Sequence, residues 1–87
     1  MAYVYILRCA DGSLYTGWTV DLEKRVVAHN AGTASRYTRS RLPVEVFASL
    51  ELGDKSAARR EEARVKALKR PEKLELAESW PVPAETV

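Results

Sequence analysis

Tyr5 and Tyr15 stand ten residues apart on either side of an Asp11-Gly12 pair, within the runs Tyr3-Val4-Tyr5 and Tyr15-Thr16-Gly17. Arg25 follows Gly17 by eight residues and His29 follows Arg25 by four. Glu62 comes much later, in the run Arg60-Glu61-Glu62-Ala63-Arg64-Val65-Lys66. Phosphodiester hydrolysis needs an activated water, an electrophilic clamp and stabilisation of the leaving oxygen. A free tyrosine has a pKa of about 10, so it serves as a base near neutral pH only where a cation or hydrogen bonds favour the phenolate. Arg25 offers a planar, permanently charged fork matched to phosphate. One carboxylate is a thin site for a divalent cation, but Mg²⁺ keeps several waters and takes substrate oxygens, so it tolerates such a site.

Each of these residues also has a purely structural reading. Tyr5 and Tyr15 can be strand residues filling a core. Arg25 can be a surface helix arginine in contact with Asp21 or His29, and His29 can favour the helix dipole or cap carbonyls. Glu62 can be a surface partner of Lys66, and its neighbour Glu61 competes with it for any ligand role. Arg36, Tyr37, Arg39 and Arg41, with Arg59 and Lys66, are either grips on a phosphate backbone or a solvated charged surface.

The elements that must position these groups follow from local pattern. Tyr3-Val4-Tyr5-Ile6-Leu7 is rich in β-branched and aromatic residues and reads as a mostly buried strand. Asp11-Gly12 signals a hairpin turn whose residues both tolerate positive φ, and Leu14 to Thr19 returns as a second strand. Asp21 caps a helix carrying Leu22 and Val26 on one face, and Gly32 ends it. This helix presents Arg25 and His29 on a shared face. Thr33 to Leu42 reads as a polar, basic loop. Pro43 precedes a third strand, in which Val44, Val46, Ala48 and Leu50 alternate with Glu45, Phe47 and Ser49 to give one buried face. Asp54 or Ser56 caps a helix expected over Lys55 to Lys69, with Ala58, Val65 and Leu68 inward. Pro71 permits a further helical segment to about Ser79. The predicted fold class is α+β, a three-stranded antiparallel sheet flanked by helices in the order β-β-α-β-α-α. Residues 1–79 form one domain, and residues 80–87 form an extended tail that either packs Trp80 on the body or frays.

Taken jointly, the order and spacing of these pieces resembles the GIY-YIG nuclease family, from Tyr3 to about Leu76. The chain is most similar to small stand-alone bacterial members made of little beyond this domain. Tyr15-Thr16-Gly17-Trp18-Thr19-Val20-Asp21-Leu22 with Arg25 and His29 looks like the second motif and first helix of that family. Arg36-Tyr37-Thr38-Arg39 and Pro43-Val44-Glu45 look like the loop and third strand of its small members. The resemblance implies that one of Tyr5 and Tyr15 helps deprotonate the attacking water, and that Arg25 holds the scissile phosphate. It further implies that His29 supports the tyrosine network, that Glu62 holds a single Mg²⁺ or Mn²⁺ ion, and that Gly17 lets backbone pass closely. Glu62-Ala63-Arg64-Val65-Lys66 fits the Glu-x-x-aliphatic-Lys pattern of the small members. Three features depart from the family pattern. Tyr3 stands where the first motif usually opens with glycine, Trp18 stands where some repair nucleases carry lysine, and no late asparagine is present (the one asparagine is Asn30).

Composition limits the alternatives. A chain of 87 residues with 46% hydrophobic and 30% charged residues can fold as one modest domain. Its net charge of +2 hides an asymmetry: Lys24 to Val44 carries five bases and no acid, and Lys55 to Arg70 carries seven bases against two acids. Two basic blocks suggest a basic face and a nucleic-acid partner, with DNA expected. The single cysteine, Cys9, excludes an internal disulfide and a cysteine-rich zinc site, and it fits a reducing, cytoplasmic setting. No segment reads as a signal peptide or a membrane span. The expected function is that of a divalent-metal-dependent endonuclease working as a monomer. Two competing functions remain: a nucleic-acid-binding module without catalysis of its own, and a protein-interaction domain docking through Trp80-Pro81-Val82-Pro83.

Overall fold

The apolar run at the N-terminus forms the middle strand of the sheet, covered on both faces. The computed structural model describes residues 1–80. Its elements are β1 (Ala2–Arg8), β2 (Leu14–Thr19), α1 (Leu22–Asn30), α2 (Arg36–Arg39), β3 (Glu45–Leu52), α3 (Lys55–Lys66) and α4 (Arg70–Ser79). The sheet order is β2-β1-β3, and both pairings are antiparallel, as the α+β expectation requires. Because successive β1 side chains point to opposite faces, the strand feeds two cores. Ala2, Val4 and Ile6 join Ala58 and Val65 of α3 and Trp80. Tyr5 and Leu7 join Cys9 and Val44, with Leu22 and Val26 of α1 packed against them. Cys9 is thus a buried thiol.

The third strand differs from its expected alternation. The β1–β3 register shifts between Ile6 and Leu7, so that Ile6 pairs with Ala48 while Leu7 pairs with Val46. Phe47 is the extra residue of this bulge, and a bulge moves the following side chains to the other face. Ala48 and Leu50 therefore serve the α3 side, whereas Val44 and Val46 serve the α1 side. The single buried face read from the sequence is split between two cores.

Three further boundaries differ from expectation. The hairpin loop spans Cys9 to Ser13, and only Gly12 in it takes a positive φ, at 84°. Asp11 stays out of that region and instead accepts from the Ser13 amide at 3.0 Å and the Ser13 hydroxyl at 2.6 Å. The supposed loop after α1 contains α2, capped by Ser35. Finally, α3 ends at Lys66 rather than Lys69, because Pro71 cannot donate to a preceding turn. The chain restarts as α4 with proline in its first turn, where Glu72 accepts from the Lys69 amide at 2.8 Å. Trp80 is buried in the α3-side core, and residues 81–87, with the rest of the expected tail, lie outside the described residues.

Candidate active site

The site begins with a glycine. Tyr5 and Gly17 are directly opposed across β1 and β2, and the Tyr5 ring lies over the bare Cα. A Cβ at position 17 would stand 2.5 Å from Tyr5 Oη and 2.6 Å from its Cζ. No side chain fits there, so the close approach expected at Gly17 is specifically an approach by the Tyr5 phenol.

Helix α1 supplies the next two groups. Asp21 caps it by accepting from the Lys24 amide at 3.1 Å. Gly32, at φ 81°, closes it, with Gly32 N–H donating to His29 O and Thr33 N–H donating to Ala28 O. With both ends fixed, Arg25 and His29 face the sheet one turn apart. Tyr5 Oη lies 2.8 Å from His29 Nε2, and Arg25 Nε donates to the same oxygen at 3.4 Å. Tyr5 and His29 are both fully buried.

The tautomer of His29 follows from its other partner. His29 Nδ1 lies 2.8 Å from Thr38 Oγ1, and the Thr38 hydroxyl donates to the Ser35 carbonyl at 3.4 Å. A hydroxyl has one proton to give. With that proton assigned to Ser35, Nδ1 donates to Thr38 and Nε2 accepts from the Tyr5 hydroxyl. Arg25, which can only donate, completes the set. Thr38 is fully buried on α2, within a segment the sequence read as loop, and so it was missed. The only signal for it was a short hydroxyl residue between bases, nine positions after His29.

Electrostatics keep the Tyr5–His29 pair neutral at rest. Burial raises the Tyr5 pKa, the Arg25 hydrogen bond and charge oppose that rise, and Tyr15 and Glu62 add to it. Burial lowers the His29 pKa, and the Arg25 charge lowers it further. The phenol therefore holds its proton and the imidazole stays free to accept one. Arg25 uses Nε on Tyr5, and its terminal nitrogens make no hydrogen bond among the described residues, which leaves them for an anion.

Tyr15 lies on the same sheet face and packs edge-on against His29, with centroids 5.2 Å apart. It is only half-buried, whereas Tyr5 is enclosed. Tyr37 leans against Tyr15 at 5.8 Å, and the Arg41 guanidinium sits 3.8 Å from the Tyr37 centroid. Arg41 is held by Asp11 at 3.1 Å and by the Tyr37 carbonyl at 2.8 Å. Arg36 and Arg39 are exposed and form no ion pair among the described residues. The Arg39 stem passes over Gly32. Asn30, whose role the sequence reading missed, clamps the start of β3 to α1. It donates to Val44 O at 3.0 Å and accepts from Val44 N at 2.8 Å.

Glu62 comes from α3, which packs on the opposite face of the sheet from Tyr5. Among the described residues no hydrogen bond joins it to the Arg25–Tyr5–His29 series, and its charge is the weakest of the influences on the Tyr5 pKa. Glu61 is committed to Arg64, whose Nε donates to it at 3.0 Å. Glu62 also meets Lys66 at 3.4 Å, so Lys66 is occupied by that pair. Arg59 is exposed on the same helix. No group of three His, Cys, Asp or Glu residues among the described residues could enclose a metal ion. One partly exposed carboxylate fits a hydrated divalent cation that completes its shell with water and substrate oxygens, and does not fit a closed protein cage.

The chain resembles known proteins over most of its length. The family model described as the GIY-YIG catalytic domain matches residues 1–75. A UPF0213 protein of Oceanobacillus iheyensis is 53% identical over 76 residues, covering 87% of this chain and 88% of its own length. One from Clostridium perfringens is 49% identical over 79 residues, covering 91% and 85%. The solution NMR structure of the UPF0213 protein from Bacillus halodurans, 43% identical, superimposes with a TM-score of 0.58 over 90% of this chain and 84% of that one.

Proposed function

Because the chain belongs to the GIY-YIG family, we propose that it is a divalent-metal-dependent endonuclease that hydrolyses phosphodiester bonds, with DNA as substrate and the cytoplasm as its setting. The observation that carries this reading is the hydrogen-bonded series Arg25–Tyr5–His29–Thr38. The terminal nitrogens of Arg25 bind the scissile phosphate. When Arg25 turns toward that phosphate, Tyr5 Oη becomes open to a water. As the water attacks, it passes a proton to Tyr5 while Tyr5 passes its own to His29 Nε2. Thr38 keeps the imidazole in the accepting tautomer. The imidazolium then returns its proton to Tyr5 as Tyr5 releases the water-derived proton to solvent, from which the leaving oxygen is protonated. Tyr15 lines the approach beside His29. A cation held by Glu62 would supply Lewis-acid polarisation of the phosphate and charge neutralisation at the leaving oxygen.

The enclosure of Tyr5 and the Glu62–Lys66 pair favour a second reading, in which the domain binds nucleic acid and requires a partner to cut it. One screen separates the two. The chain is incubated with Mg²⁺ or Mn²⁺ and duplex, flapped, junction and single-stranded substrates, alongside Arg25→Ala and Glu62→Ala. The nuclease reading expects metal-dependent product that both variants lose. Salt-sensitive binding with no product on any substrate would refute it in favour of the binding module.

A further inference from the structure

We propose that Tyr37 and Arg41 form a stacking platform for an unpaired base next to the scissile phosphate, so that the site selects nucleic acid with an extrahelical nucleotide over perfect duplex. This rests on the nucleic-acid reading of the site and deepens it. Tyr37 is one of the few large hydrophobic side chains left open, at 37% exposure. The Arg41 guanidinium lies 3.8 Å from its ring centroid. That guanidinium is fixed by Asp11, by the Tyr37 carbonyl and by the Ser40 hydroxyl. An aromatic ring and a planar cation are thus held in place before any ligand arrives, which keeps the ordering cost of stacking low.

The platform is continuous with the site. Tyr15 touches Tyr37 on one side and His29 on the other, and His29 holds Tyr5. Because Arg41 covers one face of the Tyr37 ring, the base stacks on the outer plane of the guanidinium that Tyr37 backs, and it belongs to a nucleotide near the phosphate on Arg25. Arg36 and Arg39, exposed on the same short helix, suit the backbone of that nucleotide. Within a duplex both faces of a base are covered by its neighbours. Aromatic and guanidinium platforms take bases that have left the stack, and a base that is already unpaired needs no extrusion. The Arg41–Asp11 contact also ties α2 to the β1–β2 hairpin, so the experiment must separate stacking from bracing.

Binding is measured by anisotropy in EDTA, where no cutting occurs, on two duplexes of one sequence. One is fully paired and the other carries a single bulged 2-aminopurine. The wild-type chain should bind the bulged duplex about tenfold more tightly, with loss of 2-aminopurine fluorescence as the base stacks. Tyr37→Phe should retain both effects, and Tyr37→Ala should bring the affinity ratio close to one. If the alanine variant loses its fold by circular dichroism, Tyr37→Leu repeats the test with aliphatic volume and no π face. An unchanged ratio in the non-aromatic variant, or equal wild-type affinities, overturns the platform alone. Failure to bind either duplex overturns the nucleic-acid reading and the platform with it.

Discussion

Tyr5 Oη lies between a cation and a base, and its chemistry follows from that position. The phenol is protonated at rest because burial outweighs Arg25, and His29 can accept only while neutral. The sign of the pH dependence follows. Burial and Arg25 hold the His29 pKa below its ordinary value of about 6.5, so activity should stay flat down to that pH and fall only below it. Arg25→Lys keeps the charge and should keep the acid limb low, whereas Arg25→Ala removes one cause of the depression. His29 in the alanine variant should titrate at a higher pH than in the lysine variant, and an NMR titration of the imidazole signals checks this. Thr38→Val tests the tautomer. It preserves bulk near Nδ1 but removes the acceptor, so the imidazole can place its proton on Nε2, where it blocks transfer from Tyr5. Partners that orient a functional histidine are typically worth about 10–100-fold, and kcat should fall by that order with KM little changed. A kcat equal to wild type would mean that Thr38 does no more than fill space.

The elements matter because they bring these few atoms together at tight tolerances. Gly17 shows this most clearly, since a methyl group there would overlap a tyrosine ring pinned by His29 and Arg25. Overpacking of this kind costs about 1–3 kcal/mol. In a domain of this size that corresponds to a fall in Tm of roughly 4–8 °C per kcal/mol. Gly17→Ala should therefore melt earlier by calorimetry and lose activity at temperatures where it remains folded. Much of this scaffold was legible in the sequence. The hairpin, the Asp21 cap, the Gly32 stop and the Pro71 restart are local signals with local causes. The hidden features were non-local. The Phe47 bulge depends on pairing with β1, and no pattern within β3 announces it. Helix α2 is a four-residue turn in a polar run, held by Ser35 and by Thr38 meeting His29. The tyrosines, Arg25 and His29 could be named from spacing, but their hydrogen-bond order required the positions of Ser35 and Thr38.

At the scale of the molecule, net charge says little and its distribution says more. Several bases are already paired: Arg8 with Glu45, Arg41 with Asp11, Arg64 with Glu61 and Lys66 with Glu62. Among the cations of α1 and α2 that form no ion pair among the described residues are Arg25, Arg36 and Arg39. If each neutralises one phosphate, the slope of log K against log salt should be near −3, at about −0.9 per contact for duplex DNA. Arg36→Ala should make it shallower by about one unit, which a salt titration of binding would show. A slope unchanged in that variant would move the backbone path away from α2. Among the described residues no helix is long and apolar enough to cross a membrane.

The central claim is that the Tyr5 proton moves to His29 during phosphodiester cleavage, and single-turnover cleavage by Tyr5→Phe tests it most directly. The substitution removes one oxygen and leaves the ring over Gly17, so binding and fold should persist. A positioned acid–base group contributes about 10²–10⁴-fold, and the cleavage rate with Mg²⁺ should fall by that factor. Cleavage at the wild-type rate by a folded Tyr5→Phe chain would contradict the account.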